Sequence, residues 1–221
     1  AALGLSIDRL VHPVIPVERD KNGRLTGIPE GDPDEAYWES MIYIEMARVD
    51  ARQRGELKRT LESMLADVRS AVADWPRMVD ALHEDASTIA DREGAALLEW
   101  FASGMLTILG HVTRGRDESH SKRLGICRRG VKTLLSDASY ERAFETFDAQ
   151  LAEGKLTAPM VIKANRVSSV HRRVPLDLFL VPVVEEGKVT ALSVHAGTWT
   201  SEALASPPDR VPRLRGVLAR I

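Results

Sequence analysis

At 221 residues with 44% hydrophobic side chains, the chain can bury a real core and fits one large domain or two small ones. A formal charge of -2 and a pI near 6.4 exclude a general nucleic-acid or membrane-surface binder, since either needs a net basic field. Cys127 is the only cysteine, which excludes an internal disulfide framework or a cysteine-rich zinc site and fits a reducing compartment, by default the cytoplasm. No apolar run approaches the roughly 20 residues that span a bilayer, and no basic-apolar signal peptide opens the chain.

Ala1 to Leu3, closed by Gly4, reads as the last turn of a helix, so a piece of a longer protein is expected. From Ile7 to Val17, residues Ile7, Val11, Ile15 and Val17 share one face of a strand. Asp20-Lys-Asn-Gly23 then predicts a hairpin turn with Arg24 to Ile28 returning. Pro13 and Pro16 confine the first strand to an edge or a bulge, because proline donates no ladder hydrogen bond. Gly31-Asp-Pro-Asp-Glu35 reads as a solvated loop, and Trp38 to Val49 alternates as a half-buried strand.

Leu57, Leu61, Met64, Leu65, Val68, Val72 and Trp75 recur at offsets of three and four, which predicts a helix with these residues as its core face. Pro76 should kink or restart it, with helix continuing to about residue 86. Asp91 is an N-cap for a short helix ending near Gly104, followed by a strand from Met105 to Val112. Arg114 to Lys132 carries seven Lys/Arg against Asp117 and Glu118 and reads as a charged surface loop around a short strand, Leu124 to Arg128. Ser139 to Gly154 is an amphipathic helix with Tyr140, Phe144, Phe147 and Leu151 inward. Strands follow at Met160 to Ala164, Leu176 to Val184 and Val189 to His195, the second apolar on both faces and therefore central. The last stretch, Leu214, Val217, Leu218 and Ile221, reads as a helix cut short.

Ile15-Pro-Val17 with Gly23-Arg-Leu-Thr26 echoes Val181-Pro-Val183 with Gly187-Lys-Val-Thr190. Two similar hairpins favour an α+β fold of two modules, each of antiparallel β-hairpins packed with amphipathic helices, over one continuous sheet.

Polar residues able to do chemistry crowd between Lys163 and Asp177. Ser168 or Ser169 with His171 and Asp177 invites a nucleophilic triad, but no Gly-x-Ser-x-Gly elbow supplies an oxyanion hole, which disfavours a hydrolase. Guanidinium forks from Arg166, Arg172 and Arg173 would match a carboxylate or phosphate better. The candidate anion, effector or subunit contact is therefore Asn165, Arg166, Ser169, His171, Arg172 and Arg173. Neither Gly-x-Gly-x-x-Gly nor Gly-x4-Gly-Lys-Ser/Thr occurs, so no nucleotide cofactor is expected in this segment. The six histidines are scattered without helical i,i+4 partners or paired cysteines, and no metal site is expected.

Met160-Val-Ile-Lys-Ala-Asn-Arg-Val-Ser-Ser-Val-His-Arg-Arg-Val-Pro-Leu-Asp177 closely resembles a run in the large bacterial NAD-specific glutamate dehydrogenases. Gly4 to Val14, Glu39 to Glu45, Asp67 to Pro76, Leu98 to Ala102 and Pro208 to Arg215 resemble landmarks of that family in the same order. Thr107-Ile-Leu-Gly110 and Gly197-Thr-Trp-Thr-Ser201 depart from its pattern. The resemblance implies an incomplete ACT-like module over 1–90 and a second module over 91–221, PAS-like or ACT-like. It also implies a parent enzyme that oxidises glutamate with NAD, and a segment that is itself regulatory or architectural. Its partners would be the rest of the dehydrogenase chain, further copies of itself and an amino-acid effector. The alternative is a free-standing anion- or amino-acid-binding module, or less favourably a hydrolase centred on Ser169 and His171.

Overall fold

The computed structural model describes residues 4–29, 37–130, 134–155 and 158–218. The expected helical turn at Ala1 to Leu3, the acidic loop at Gly31 to Glu35, Lys132 and the final residues 219–221 lie outside them. The fold is α+β with antiparallel sheets and divides into two compact units, residues 1–61 and 62–221, where the sequence suggested modules of 1–90 and 91–221.

The first unit carries β1 (Arg9–Val11), β2 (Val14–Arg19), β3 (Leu25–Gly27), β4 (Tyr37–Ser40) and β5 (Tyr43–Glu45). β1 pairs with β5, and β2 lies between β3 and β4. The single strand expected from Ile7 to Val17 is thus broken at His12-Pro13, and the one expected from Trp38 to Val49 ends at Glu45 after a matching break at Met41, whose N–H reaches the Pro13 carbonyl. Of the two expected alternatives, an edge or a bulge, β2 takes the second: it is central and carries a register shift between Glu18 and Arg19. It tolerates Pro16 because β3 pairs only with Glu18 and Arg19, across a bulge, so the proline is asked for no bond on that side. In the turn, Asp20 Oδ1 accepts from the N–H groups of Asn22 (2.8 Å) and Arg24 (2.9 Å), with Gly23 at a φ of 76°.

α1 (Ala51–Thr88) runs through Pro76 without a restart. Buried side chains on both sides of the proline, Ala71 and Asp74 before it and Met78, Leu82 and Ala86 after it, hold the helix against the missing backbone bond. The expected core stripe is a second correction. Met64, Leu65, Val68, Val72 and Trp75 are exposed, Val72 by 70% and Trp75 by 52%, and the buried face is Ala71, Asp74, Met78, Ala81, Leu82 and Ala86. Periodicity locates an apolar face, but it does not say whether this chain supplies the cover.

The second unit is built on a five-stranded antiparallel sheet in the order β7 (His120–Gly125), β6 (Leu106–Gly115), β10 (Lys188–Trp199), β9 (Pro175–Glu185), β8 (Met160–Val167). β9 is interior, as its two apolar faces require. Leu176, Leu178 and Leu180 share a core cluster with Tyr140, Phe144 and Phe147 of α4 (Asp137–Ala152), while Phe179 and Val181 join Met78 and Leu82 of α1 and Leu97 and Leu98 of α2 (Arg92–Trp100). Period-two alternation along one strand therefore feeds two cores. Asp91 caps α2 by accepting from Gly94 N (2.7 Å), and the chain leaves through a π turn in which Gly104 takes a φ of 103°. The β9–β10 turn places Glu186 and Gly187 at φ of 50° and 74°, the two positive values of a type I′ hairpin.

The strand expected at Leu124 to Arg128 is instead the end of β7 followed by α3 (Cys127–Gly130). Gly125 ends the strand, at a φ of 58° and with the Leu109 carbonyl 2.1 Å from where a Cβ would stand. Its N–H donates to buried Asp74 (2.8 Å), which also accepts two bonds of 2.5 Å from Arg128. The basic stretch is no free surface loop either. Arg114 is fully buried over the Tyr140 ring and donates to Asp137 and the Gly115 carbonyl, while Arg116 and Lys122 pair with Asp148 and Glu84. α5 (Ser201–Ala205), capped by Thr200, and α6 (Leu214–Leu218) complete the described chain.

Candidate functional site

His111 on β6 stands directly opposite His195 on β10, and β10 in turn places His195 opposite Phe179 and Ser193 opposite Val181 on β9. Directly opposed residues project to one side of a sheet, so His111, Ser193 and His195 share the face that packs beneath α1 and α2. Asp85 of α1 meets them there. Ser193 Oγ donates to Asp85 Oδ2 at 2.5 Å, and His195 Nε2 donates to the same oxygen at 2.6 Å. His111 Nε2 lies 2.9 Å from Ser193 Oγ, and because the serine proton is committed to Asp85, the imidazole is the donor of that bond. The two rings are 4.7 Å apart at 35°.

Both histidines are buried, at 1% and 0% exposure, and neither Nδ1 atom has a hydrogen-bond partner. Burial pushes the Asp85 carboxyl up, but the hydrogen bond and charge of His195, helped by Ser193 and His111, outweigh it and hold the group below the usual carboxylate range. Burial first and the charge of His195 second push His111 down to about 3, so its ring is neutral at physiological pH. Coordinating atoms of Asp85, His111 and His195 all lie within 4.8 Å of one another. A carboxylate and two imidazoles are donors suited to a divalent transition metal. A serine nucleophile is not what this geometry offers, since Ser193 gives its proton to the carboxylate instead of to a histidine base. Beside the cluster opens a cavity of about 230 Å³ lined by His111, Leu124, Lys122 and the α1 residues Arg77, Asp80, Ala81 and Glu84.

The residues singled out between Lys163 and Asp177 are dispersed among separate partners. Asn165 and Arg166 lie in β8, Asn165 exposed and Arg166 half-buried. Ser169 donates to Asp67 of α1 at 2.8 Å, and Ser168 is buried in a local turn with Val170. Arg172 is turned inward to the Trp199 carbonyl, Arg173 is exposed, and His171 is exposed at a φ of 64°. Asp177 takes the Lys163 ammonium at 2.7 Å. Neither a triad nor a shared guanidinium fork is among these bonds.

The sequence did contain a signal for the buried cluster: His111 stands between Gly110 and Val112, and His195 between Val194 and Ala196, each an ionisable side chain flanked by apolar neighbours within a strand. Searching for histidines at close spacing misses a pair that only the strand register brings together. Among the described residues no helix is long and apolar enough to cross a membrane. Residues 1–61 match the family model described as glutamate dehydrogenase, ACT1 domain, so this first part of the chain is similar to that domain of glutamate dehydrogenases.

Proposed function

We propose that the chain is a regulatory and architectural segment of an NAD-dependent glutamate dehydrogenase of the cytoplasm. The parent enzyme would convert glutamate, NAD and water to 2-oxoglutarate, ammonium and NADH. The observation that carries this reading is the ACT1 match over residues 1–61. It is supported by the sequence, in which neither glycine-rich phosphate cradle occurs. In this reading the segment is not itself catalytic and takes its effector from the amino acids, bound between paired modules as the resemblance to ACT-like domains implies.

Pairing with a second copy is supported by the uncovered stripe on α1. Leu65, Val68, Val72 and Trp75 follow one another at steps of three, four and three, the spacing of a helix–helix seam, and all four are exposed. Light scattering over a range of concentrations is expected to give about twice the 24.4 kDa of one chain. Joint replacement of Val68 and Val72 by aspartate should return the mass to that of a single chain with the helical content unchanged. A single-chain mass for the unsubstituted protein at every concentration would remove pairing from the account.

A further inference from the structure

We propose that Asp85, His111 and His195 bind one divalent transition-metal ion, with zinc as the best-fitting member. Three observations carry this. The donor atoms converge within 4.8 Å from rigid elements, two neighbouring strands and a helix. Both imidazoles are buried and each leaves its Nδ1 without a partner, a state that buried polar atoms rarely keep in native proteins. Finally, a cavity opens at His111, lined by the carboxylates of Asp80 and Glu84 and by Arg77 and Lys122, so the site has a route by which an ion can enter.

Two nitrogens and one carboxylate oxygen make up a three-ligand zinc set, with water in the fourth position. Donors on one tetrahedral zinc stand roughly 3.3 Å apart. The His195–Asp85 hydrogen bond of 2.6 Å is therefore exchanged for two coordinate bonds by a shift of less than about 1 Å. The proton that His195 Nε2 now donates to Asp85 passes to the open Nδ1 of the same ring, so the imidazole stays neutral and each histidine coordinates through an unprotonated nitrogen. Ser193 keeps its bond to Asp85 and so orients the ligating carboxylate, a supporting part that typically changes metal affinity by about 10- to 100-fold. The dication also supplies positive charge to a carboxylate largely withdrawn from water.

The test titrates the chelator-treated 221-residue chain with cobalt(II), then with zinc. Expected are one equivalent of cobalt, the intense visible absorption of a four-coordinate N/O site, and its loss on displacement by zinc. Asp85→Asn and His195→Asn should each lose the band with their far-UV circular dichroism retained, Ser193→Ala should keep it with at least about tenfold weaker binding, and exposed His171→Asn should leave it untouched. Absence of the band and of zinc binding in the unsubstituted chain would overturn the proposal without reliance on any variant. So would an undiminished band in Asp85→Asn and His195→Asn.

Discussion

Replacing Phe101 by alanine should destabilise the second unit by about 3–5 kcal/mol, the range for removing a fully buried phenylalanine. Phe101 is the hub of the sheet's aromatic cluster, with ring centroids 4.4 Å from Phe179 and 5.3 Å from Trp199, the latter edge-on. Trp100 completes the group at 5.6 Å from Phe101 and 5.7 Å from Trp199. Because these rings come from the end of α2 and the π turn after it and from strands β9 and β10, the loss strikes several elements at once. Denaturant unfolding followed by tryptophan fluorescence reads the change, and the melting temperature should fall by on the order of 10 °C. A change below about 1 kcal/mol would show that this cluster does not hold the unit together.

The second large effect is a dependence of stability on pH set by His111 in the metal-free chain. Its folded pKa of about 3 lies below the ordinary value of 6.5, because burial and the charges of His195 and Lys122 oppose protonation more than Asp85 and the Lys122 backbone favour it. As pH falls below 6.5, the unfolded chain binds a proton at this position that the folded chain refuses. Stability from this group is therefore complete above 6.5 and is lost progressively down to about 3. Asp85, whose pKa is depressed, adds its own loss at the acid end of the same window. His111→Asn, whose amide can still donate to Ser193, should flatten the upper part of this decline in urea melts run with chelator present. An unchanged slope between pH 6.5 and 5 would contradict the neutral, buried state of this ring.

What the sequence disclosed and what it hid divide along physical lines. The Asp91 cap, the Asn22-Gly23 turn, the Glu186-Gly187 hairpin and the closure of α4 at Gly154 rest on interactions within a few residues, and each stands where the pattern put it. The exposed Val72 and Trp75 depart from the expected core face because their burial depends on what packs against the helix, which lies outside the pattern of the helix itself. Arg114 was read as a surface charge, yet it is buried by Tyr140 and paired by Asp137, partners more than 20 residues away. The Asp85–Ser193–His111–His195 cluster was hidden for the same reason. Its assembly depends on the β6–β10 register, which shifts at a bulge between Ala196 and Gly197 and cannot be counted from either strand alone.

The central claim is that this segment senses and organises instead of catalysing, and its most direct test is calorimetry. Glutamate and a panel of other amino acids are titrated one at a time into the 221-residue chain. The account predicts saturable heat from at least one of them, with a stoichiometry that matches the paired particle. Silence from the whole panel would contradict a sensing role.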